Sequence, residues 1–172
     1  MSASKDVRRH EAGHAITALA LGIGLQEPAI TLISDQEACT NVALPTSSSP
    51  DEAWCIRRAA VKLAGPIAMI RYRQQEMHWQ TLREEGEYAS DYGEAERILQ
   101  KFWLDKVFGA AEHLVGAQME RAACLAIQSV DRNEGAISAL AEATKSQDVI
   151  GIPKILDAIA TQQPIHTPNG ME

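Results

Sequence analysis

The chain has 172 residues, of which 45% are hydrophobic, so it can form one domain with a sizeable core but is short for two. Its 16 basic and 23 acidic residues give a net charge of -7, which disfavours nucleic acid and anionic membranes as main partners. The longest apolar run is well short of the ~20 residues that a membrane-spanning helix needs, so we expect a soluble protein. We predict one domain over residues 1–160 and a disordered tail over residues 161–172.

The three cysteines indicate a reducing compartment, such as the cytoplasm. Cys39, Cys55 and Cys124 form no C-x-x-C pair, and their odd number argues against a disulfide framework. We therefore interpret all three as small residues of the hydrophobic core.

The first predicted helix contains the motif His-Glu-Ala-Gly-His over residues 10–14. Asp6 lies near its start, and no proline interrupts it. At about 100° per residue, His10 and His14 lie one turn apart on the same face, so both imidazoles can reach a single cation. Glu11 points to the side of that face, where it can act as general base on a zinc-bound water without ligating the metal. The motif therefore predicts half of a zinc active site.

Two other interpretations of this segment compete with the metal site. A chance match is one, since the chain contains five histidines. The other is a signal peptide, because Lys5, Arg8 and Arg9 precede an uncharged stretch over residues 15–25. No small-residue cleavage site follows that stretch, and Glu11 interrupts the approach to it, so we favour the metal site.

A short β element is predicted after the first helix. Residues 29–33 are rich in β-branched side chains and residues 40–44 form a second extended segment, with a polar connection over 34–37. The next helix is expected to begin with Ser49 as N-cap, a proline at the first helical position and Glu52 as capping-box partner.

The remainder of the chain is predicted to be mostly helical. Gly65-Pro66 is expected to kink the second helix, and further helices run from Ser90 onwards. They are interrupted at residues 133–135, and the last covers residues 152–159. The predicted fold class is therefore mainly α, a helical bundle with a small β hairpin or sheet inserted after the metal helix.

A catalytic zinc site needs a third protein ligand and an open position for water. The spacing H-E-x-x-H-x-x-G-x-x-H fails because position 20 is alanine, and Glu27 and Glu37 lie where no helix is predicted. The remaining histidines are in a charged stretch, between apolar helix neighbours or in the tail. Asp91 is the best remaining candidate, although it can equally be a helix N-cap with Glu94 as its capping-box partner.

Four motifs occur in a fixed order along the chain. They are His-Glu-Ala-Gly-His-Ala from His10, the pair Leu44-Pro45, the helix segment Leu63-Ala64-Gly65, and Ser90-Asp91 followed by Glu94, Ala95, Arg97 and Ile98. This order resembles the peptidase domain of the FtsH family of AAA+ zinc proteases, over about residues 9–160. The resemblance implies that Asp91 is the third zinc ligand beside His10 and His14, with Zn2+ as cofactor. The chain departs from the family at Pro66, where the family has arginine, and at Gly93.

The resemblance implies a zinc metalloendopeptidase of the HExxH type, with Glu11 activating the water. Because nine residues precede His10, we expect neither an ATPase module nor a membrane anchor, and therefore ATP-independent cleavage of peptides or unfolded protein segments. A peptide is expected to add as a strand to the extended segment formed by Thr40, Asn41, Val42, Ala43 and Leu44. A homo-oligomer or a separate unfoldase subunit stays open. So do a catalytically silent binding or regulatory module and a helical structural protein in which the motif is accidental.

Overall fold

The computed structural model describes residues 4–34, 36–45, 50–76, 78–84, 86, 88–104, 111–160 and 165–168. These residues form six α-helices and a small antiparallel sheet, which confirms the predicted fold class. The elements in chain order are α1 (Lys5–Ala20), β1 (Leu25–Leu32), β2 (Ala38–Val42), α2 (Glu52–Tyr72), α3 (Ala89–Leu104), α4 (Ala111–Arg132), α5 (Glu134–Ala143), β3 (Val149–Ile150) and α6 (Ile152–Ala160), with short 3-10 turns at Trp79–Arg83 and Thr144–Ser146.

Helix α1 begins with Ser4 as N-cap, whose side chain accepts a hydrogen bond from the amide of Val7 at 3.2 Å. Most of its residues from Arg8 onwards are buried, because α1 packs against α2, α5 and the sheet. A helix that is apolar on nearly every side is typical of such a central position. The motif over residues 10–14 therefore lies inside the domain, on its most enclosed helix.

Helix α2 begins two residues later than predicted. Its N-cap is Asp51, whose carboxylate accepts a hydrogen bond from the amide of Trp54 at 2.7 Å, so the expected cap at Ser49 is wrong. Ser49 itself lies outside the described residues. Both side chains are good N-caps, so only the tertiary position of the helix decides between them. Pro66 lies inside α2 and does not end it.

The sheet has the order β2-β1-β3, with both pairings antiparallel. Strand β1 extends further towards the N-terminus than predicted, and β2 ends at Val42, so Ala43 and Leu44 follow the strand. The two-residue strand β3 is too short to give a sequence pattern and was not predicted. Because β1 lies in the centre, one edge of β2 has no strand partner within the described residues.

The cysteines differ from their predicted positions. Cys55 is buried in α2, whereas Cys39 on β2 and Cys124 on α4 are exposed. The interpretation as core residues is therefore wrong for two of the three. An alternating strand and an amphipathic helix each expose one face, and cysteine is apolar enough to be misassigned to the other.

Of the predicted tail, the structure describes only residues 165–168. The amide of His166 donates to Asn133 at 2.8 Å, and the side-chain amide of Asn133 donates back to the carbonyl of His166 at 3.0 Å. These four residues therefore lie against the junction of α4 and α5. Among the described residues, no helix is both long and apolar enough to cross a bilayer.

Candidate metal centre

Helix α1 brings the two motif histidines together on one face. Their Nε2 atoms are 3.0 Å apart, and the rings meet edge to face with centroids separated by 4.6 Å. His14 is buried, whereas His10 is half-buried at the border of a cleft. Because both Nε2 atoms face the same point, a single cation there would contact both rings.

Asp91 completes this group from the first turn of α3. Its Oδ2 lies 2.9 Å from Nε2 of His10 and 3.6 Å from Nε2 of His14. Since α3 already begins at Ala89, Asp91 lies inside the helix and its carboxylate faces the imidazoles, so the N-cap interpretation is wrong. Within the described residues, His10, His14 and Asp91 form the one group of potential metal donors whose ligand atoms lie within 4.8 Å of one another.

The tautomer of His14 is fixed by α2. Its Nδ1 lies 2.6 Å from the carbonyl oxygen of Val61, in a buried position. A carbonyl only accepts, so Nδ1 carries a hydrogen, and Nε2 is the nitrogen that faces Asp91 and His10. This is the arrangement by which metal-binding histidines are usually oriented from behind.

Gly65 on α2 makes room for the two rings. A Cβ at Gly65 would lie 2.5 Å from Nε2 of His14 and 2.8 Å from Nε2 of His10. Across the same contact, a Cβ at Gly13 would lie 2.7 Å from the carbonyl oxygen of Ala64. Helices α1 and α2 therefore cross at a pair of glycines, and any larger side chain at Gly65 would occupy the space of the nitrogen atoms.

The electrostatics of the cluster favour a shared positive charge. Burial alone would raise the pKa of Asp91, but His14 and His10 outweigh it and hold that pKa well below its usual range. Burial alone would lower the pKa of His14, but the neighbouring carboxylate of Asp91 raises it instead. The carboxylate thus requires a positive partner, and the donors, two imidazole nitrogens and one carboxylate oxygen, are a set that fits zinc with a position left open.

Glu11 is buried beside the three potential metal donors, and its side chain is hydrogen-bonded to strand β2. Its Oε2 accepts a hydrogen bond from the hydroxyl of Thr40 on β2 at 2.6 Å. The side chain of Thr40, a residue that was predicted to contact substrate, orients the carboxylate of Glu11. Glu11 thus has its own hydrogen-bond partner on β2 and is not one of the three potential metal donors.

Two adjoining cavities form a cleft along these residues. The smaller, of about 240 Å³, reaches Val42, Val61 and Lys62, and the larger, of about 610 Å³, reaches Asp6 and Arg73. Both are lined by His10, Glu11, Ala38, Ser90 and Asp91. The candidate metal centre thus lies where the two cavities meet.

The free edge of β2 borders this cleft with its backbone groups directed outwards. The amide of Leu32 donates to Asp148 at 2.6 Å, on the side of β3. In an antiparallel ladder alternate residues point to opposite neighbours, so Ile30 also points to β3. Thr40 lies opposite Ile30, and its own N–H and C=O are therefore directed away from β1, towards the open edge.

The predicted substrate segment lies only partly at the cleft. Thr40 and Val42 line the smaller cavity, together with Ala38 and Cys39, which were not predicted. Neither cavity is lined by Asn41, Ala43 or Leu44. The side chain of Asn41 donates to the carbonyl of Pro28, the amide of Ala43 to that of Gly24, and Leu44 is exposed beyond the strand.

Two further contributions of α2 were missed from the sequence. The carbonyl of Val61 is a backbone group and gives no side-chain signal. Lys62 lies 2.6 Å from Glu94 and 3.9 Å from the Oδ1 of Asp91. It is the one charged residue in an otherwise apolar stretch over residues 59–70, and that pattern was visible in the sequence.

No protein-family model matches this chain, and no curated protein is significantly similar to it. The resemblance to the FtsH peptidase domain therefore rests on the sequence motifs alone.

Proposed function

We propose that this protein is a zinc metallopeptidase, similar to the peptidase domain of FtsH proteases, that hydrolyses peptide bonds in peptides or unfolded protein segments. One observation carries the proposal. Two imidazole nitrogens and one carboxylate oxygen converge at a cleft, with the buried carboxylate of Glu11 beside them and a free strand edge along one side.

The metal would be held by His10, His14 and Asp91. When bound, zinc polarises the carbonyl of the scissile bond and lowers the pKa of a coordinated water. The carbonyl of Val61 places the hydrogen of neutral His14 on Nδ1, so that Nε2 points at the site and can ligate the metal. Three protein ligands leave a coordination position free, as a catalytic site requires.

Glu11 is suited to proton transfer. Thr40 donates to its Oε2, and the other oxygen of the same carboxylate, Oε1, can accept a proton from the attacking water. The protonated carboxyl group can then deliver that proton to the nitrogen of the leaving amine. Glu11 is 5% exposed, so bulk water competes little for these hydrogen bonds.

The substrate would bind as an added strand along β2. The backbone N–H and C=O of Thr40 are directed to the free edge, where an extended peptide can pair with them. Only a chain without secondary structure of its own can offer its backbone in this way. The proposed substrates are therefore short peptides and unfolded segments.

The experiment compares the wild-type protein with Glu11→Gln. Both are purified without chelators, analysed for zinc, and assayed without ATP on unfolded casein and on a diverse peptide library. We expect about one zinc per chain in both proteins, because Glu11 is not a ligand, and cleavage by the wild type alone. Removal of a general base typically lowers the rate by about 10²–10⁴-fold.

Two results would contradict the proposal in different ways. A wild-type protein without zinc, even after addition of Zn2+, would contradict the ligand set. Equal inactivity of both zinc-loaded proteins on every substrate would instead favour the catalytically silent binding or regulatory module. The intact Glu11 argues against that alternative, since a module that only binds metal does not need a base.

A further inference from the structure

Lys62 is a charge on an otherwise buried face of α2. The residues around it from Ala59 to Ile70 are buried, whereas the side chain of Lys62 is 22% exposed and lines the smaller cavity. The hydrolysis described above gives this ammonium group no role. A lysine kept at such a position needs partners that compensate for its partial desolvation.

Those partners are two carboxylates of α3. The ammonium lies 2.6 Å from Oε2 of Glu94 and 3.9 Å from Oδ1 of Asp91. Asp91 and Glu94 are three positions apart and therefore share one face of the helix. Glu94 fixes the ammonium group between α2 and α3, in a place where its second neighbour is the carboxylate of Asp91.

The two oxygens of Asp91 thus face different groups. Oδ2 lies 2.9 Å from Nε2 of His10, whereas Oδ1 lies 3.9 Å from the ammonium group of Lys62. We propose that Lys62 is a positioning residue for Asp91, a role that rests on the proposed zinc site: its positive charge attracts Oδ1 and thereby keeps Oδ2 turned towards His10 and His14. Carboxylates that ligate a metal are usually oriented by a neighbouring group that does not itself bind the metal.

The change in zinc affinity on removal of Lys62 has opposite directions for a positioning role and for a purely electrostatic role. A lysine this close to a divalent cation repels it, so a purely electrostatic role predicts tighter zinc binding after the charge is removed. Positioning predicts the opposite, because Asp91 would then rotate without a partner for Oδ1. The direction of the change in affinity therefore decides between the two roles.

The experiment titrates metal-free protein with Zn2+ against a competing chelator. Lys62→Met should weaken zinc binding by about 10–100-fold, the usual effect of losing a partner of a metal ligand. Lys62→Arg, which keeps a donor and a charge at the site, should stay close to wild type. The visible absorption of the Co2+-loaded protein should change in Lys62→Met, because the carboxylate ligand moves.

A matched control is available on the same helix. Arg71 joins α2 to Asp131 of α4 through contacts of 2.8 and 3.0 Å, remote from the metal donors. Arg71→Met therefore removes an interhelical ion pair of better geometry, yet should leave zinc affinity and the Co2+ spectrum unchanged. If Lys62→Met does not fold, Glu94→Gln, which releases the ammonium group, should weaken zinc binding in the same direction but less.

The outcomes distinguish this proposal from the proposed function. Equal or tighter zinc binding by a folded Lys62→Met protein, beside normal binding by the wild type, would overturn the role of Lys62 and leave the peptidase standing. Equal losses in Lys62→Met and Arg71→Met would also overturn it, since the effect would then be general destabilisation. A wild-type protein that binds no zinc would overturn the metal site, and the role of Lys62 with it.

Discussion

Replacing Gly65 with alanine should abolish the proposed zinc binding and should lower the free energy of unfolding only slightly. The added methyl group would lie 2.5 Å from Nε2 of His14 and 2.8 Å from Nε2 of His10. Comfortable contacts between such atoms are about 3.5 Å, so the rings must retreat by about 1 Å. Zinc sites tolerate deviations of only about 0.2 Å in their ligand distances, so this displacement exceeds the tolerance several-fold.

The cost in stability should be smaller, because the atoms that must move are the tips of side chains. Overpacking costs about 1–3 kcal/mol, and histidines that can rotate towards the cleft place Gly65→Ala at the lower end of that range. Gly13→Ala provides the contrast, because its methyl group would meet the backbone oxygen of Ala64 at 2.7 Å. That clash separates two helices, so this variant should lose stability with or without metal.

The assay measures zinc affinity by chelator competition and thermal unfolding with and without Zn2+. Gly116→Ala is the control, since a Cβ at this position in α4 meets nothing within 4 Å and should stabilise the helix by roughly 0.5–1 kcal/mol. Without metal, we expect Gly65→Ala to unfold near the wild-type temperature. Addition of Zn2+ should not raise the unfolding temperature of this variant. Wild-type zinc affinity in Gly65→Ala would refute the reasoning, because the nitrogen atoms could then not converge beside Gly65.

The same contacts lead to three other predictions. The first concerns pH in the metal-free protein. The pKa of Asp91 is lowered on folding, so its contribution to stability is present above about pH 4 and is lost towards lower pH. The pKa of His14 is raised on folding, so its contribution is present below about pH 6.5 and is lost as the pH rises through the folded value. Thermal stability should therefore be highest between these values, with zinc extending it to higher pH because the metal needs neutral His14. The pKa of Cys39 is raised by partial desolvation in the cleft and by the negative charge of Glu11, so alkylation of Cys39 should proceed faster at alkaline pH and should inhibit cleavage. Cys39→Ala should abolish this inhibition although Cys124 is still modified. Thr40→Val should lower kcat by about 10–100-fold at unchanged zinc content, because it removes the hydrogen bond to the charged carboxylate of Glu11, and such a bond contributes about 1.5–3 kcal/mol. Thr40→Ser keeps the hydroxyl group and should retain most activity.

The local parts of this fold could be predicted from sequence. The motif in α1 and the apolar periodicity of α2 and α4 depend on neighbours within a few turns, so residue type and spacing suffice to recognise them. Element ends were less predictable, as the choice between Ser49 and Asp51 illustrates, because two good N-caps two residues apart differ only in tertiary context. The strand β3 gave no signal, since two residues cannot display an alternation.

The site was predictable to the extent that its chemistry lies in side chains. His10, Glu11 and His14 followed from helix geometry alone, whereas Asp91 is brought to them by the packing of α3 on α2, which no spacing rule contains. Its assignment came from the resemblance. The carbonyl of Val61 and the missing side chain of Gly65 act through backbone and through empty space, so their roles became visible only in three dimensions.

The edge of β2 provides an independent argument for a peptide-binding cleft. Exposed edge strands are usually protected from pairing with other chains by lysine, by proline or by a covering element. The sequence of β2 is Ala-Cys-Thr-Asn-Val, which contains no charge and no proline, and its backbone groups at Thr40 are directed outwards beside the candidate metal centre. Its five-residue length and the irregular register with β1 between Leu25 and Ile30 limit its tendency to pair. An edge strand without charge or proline at this point is explained if pairing is its function, since a strand added there would run past Glu11 and the potential metal donors.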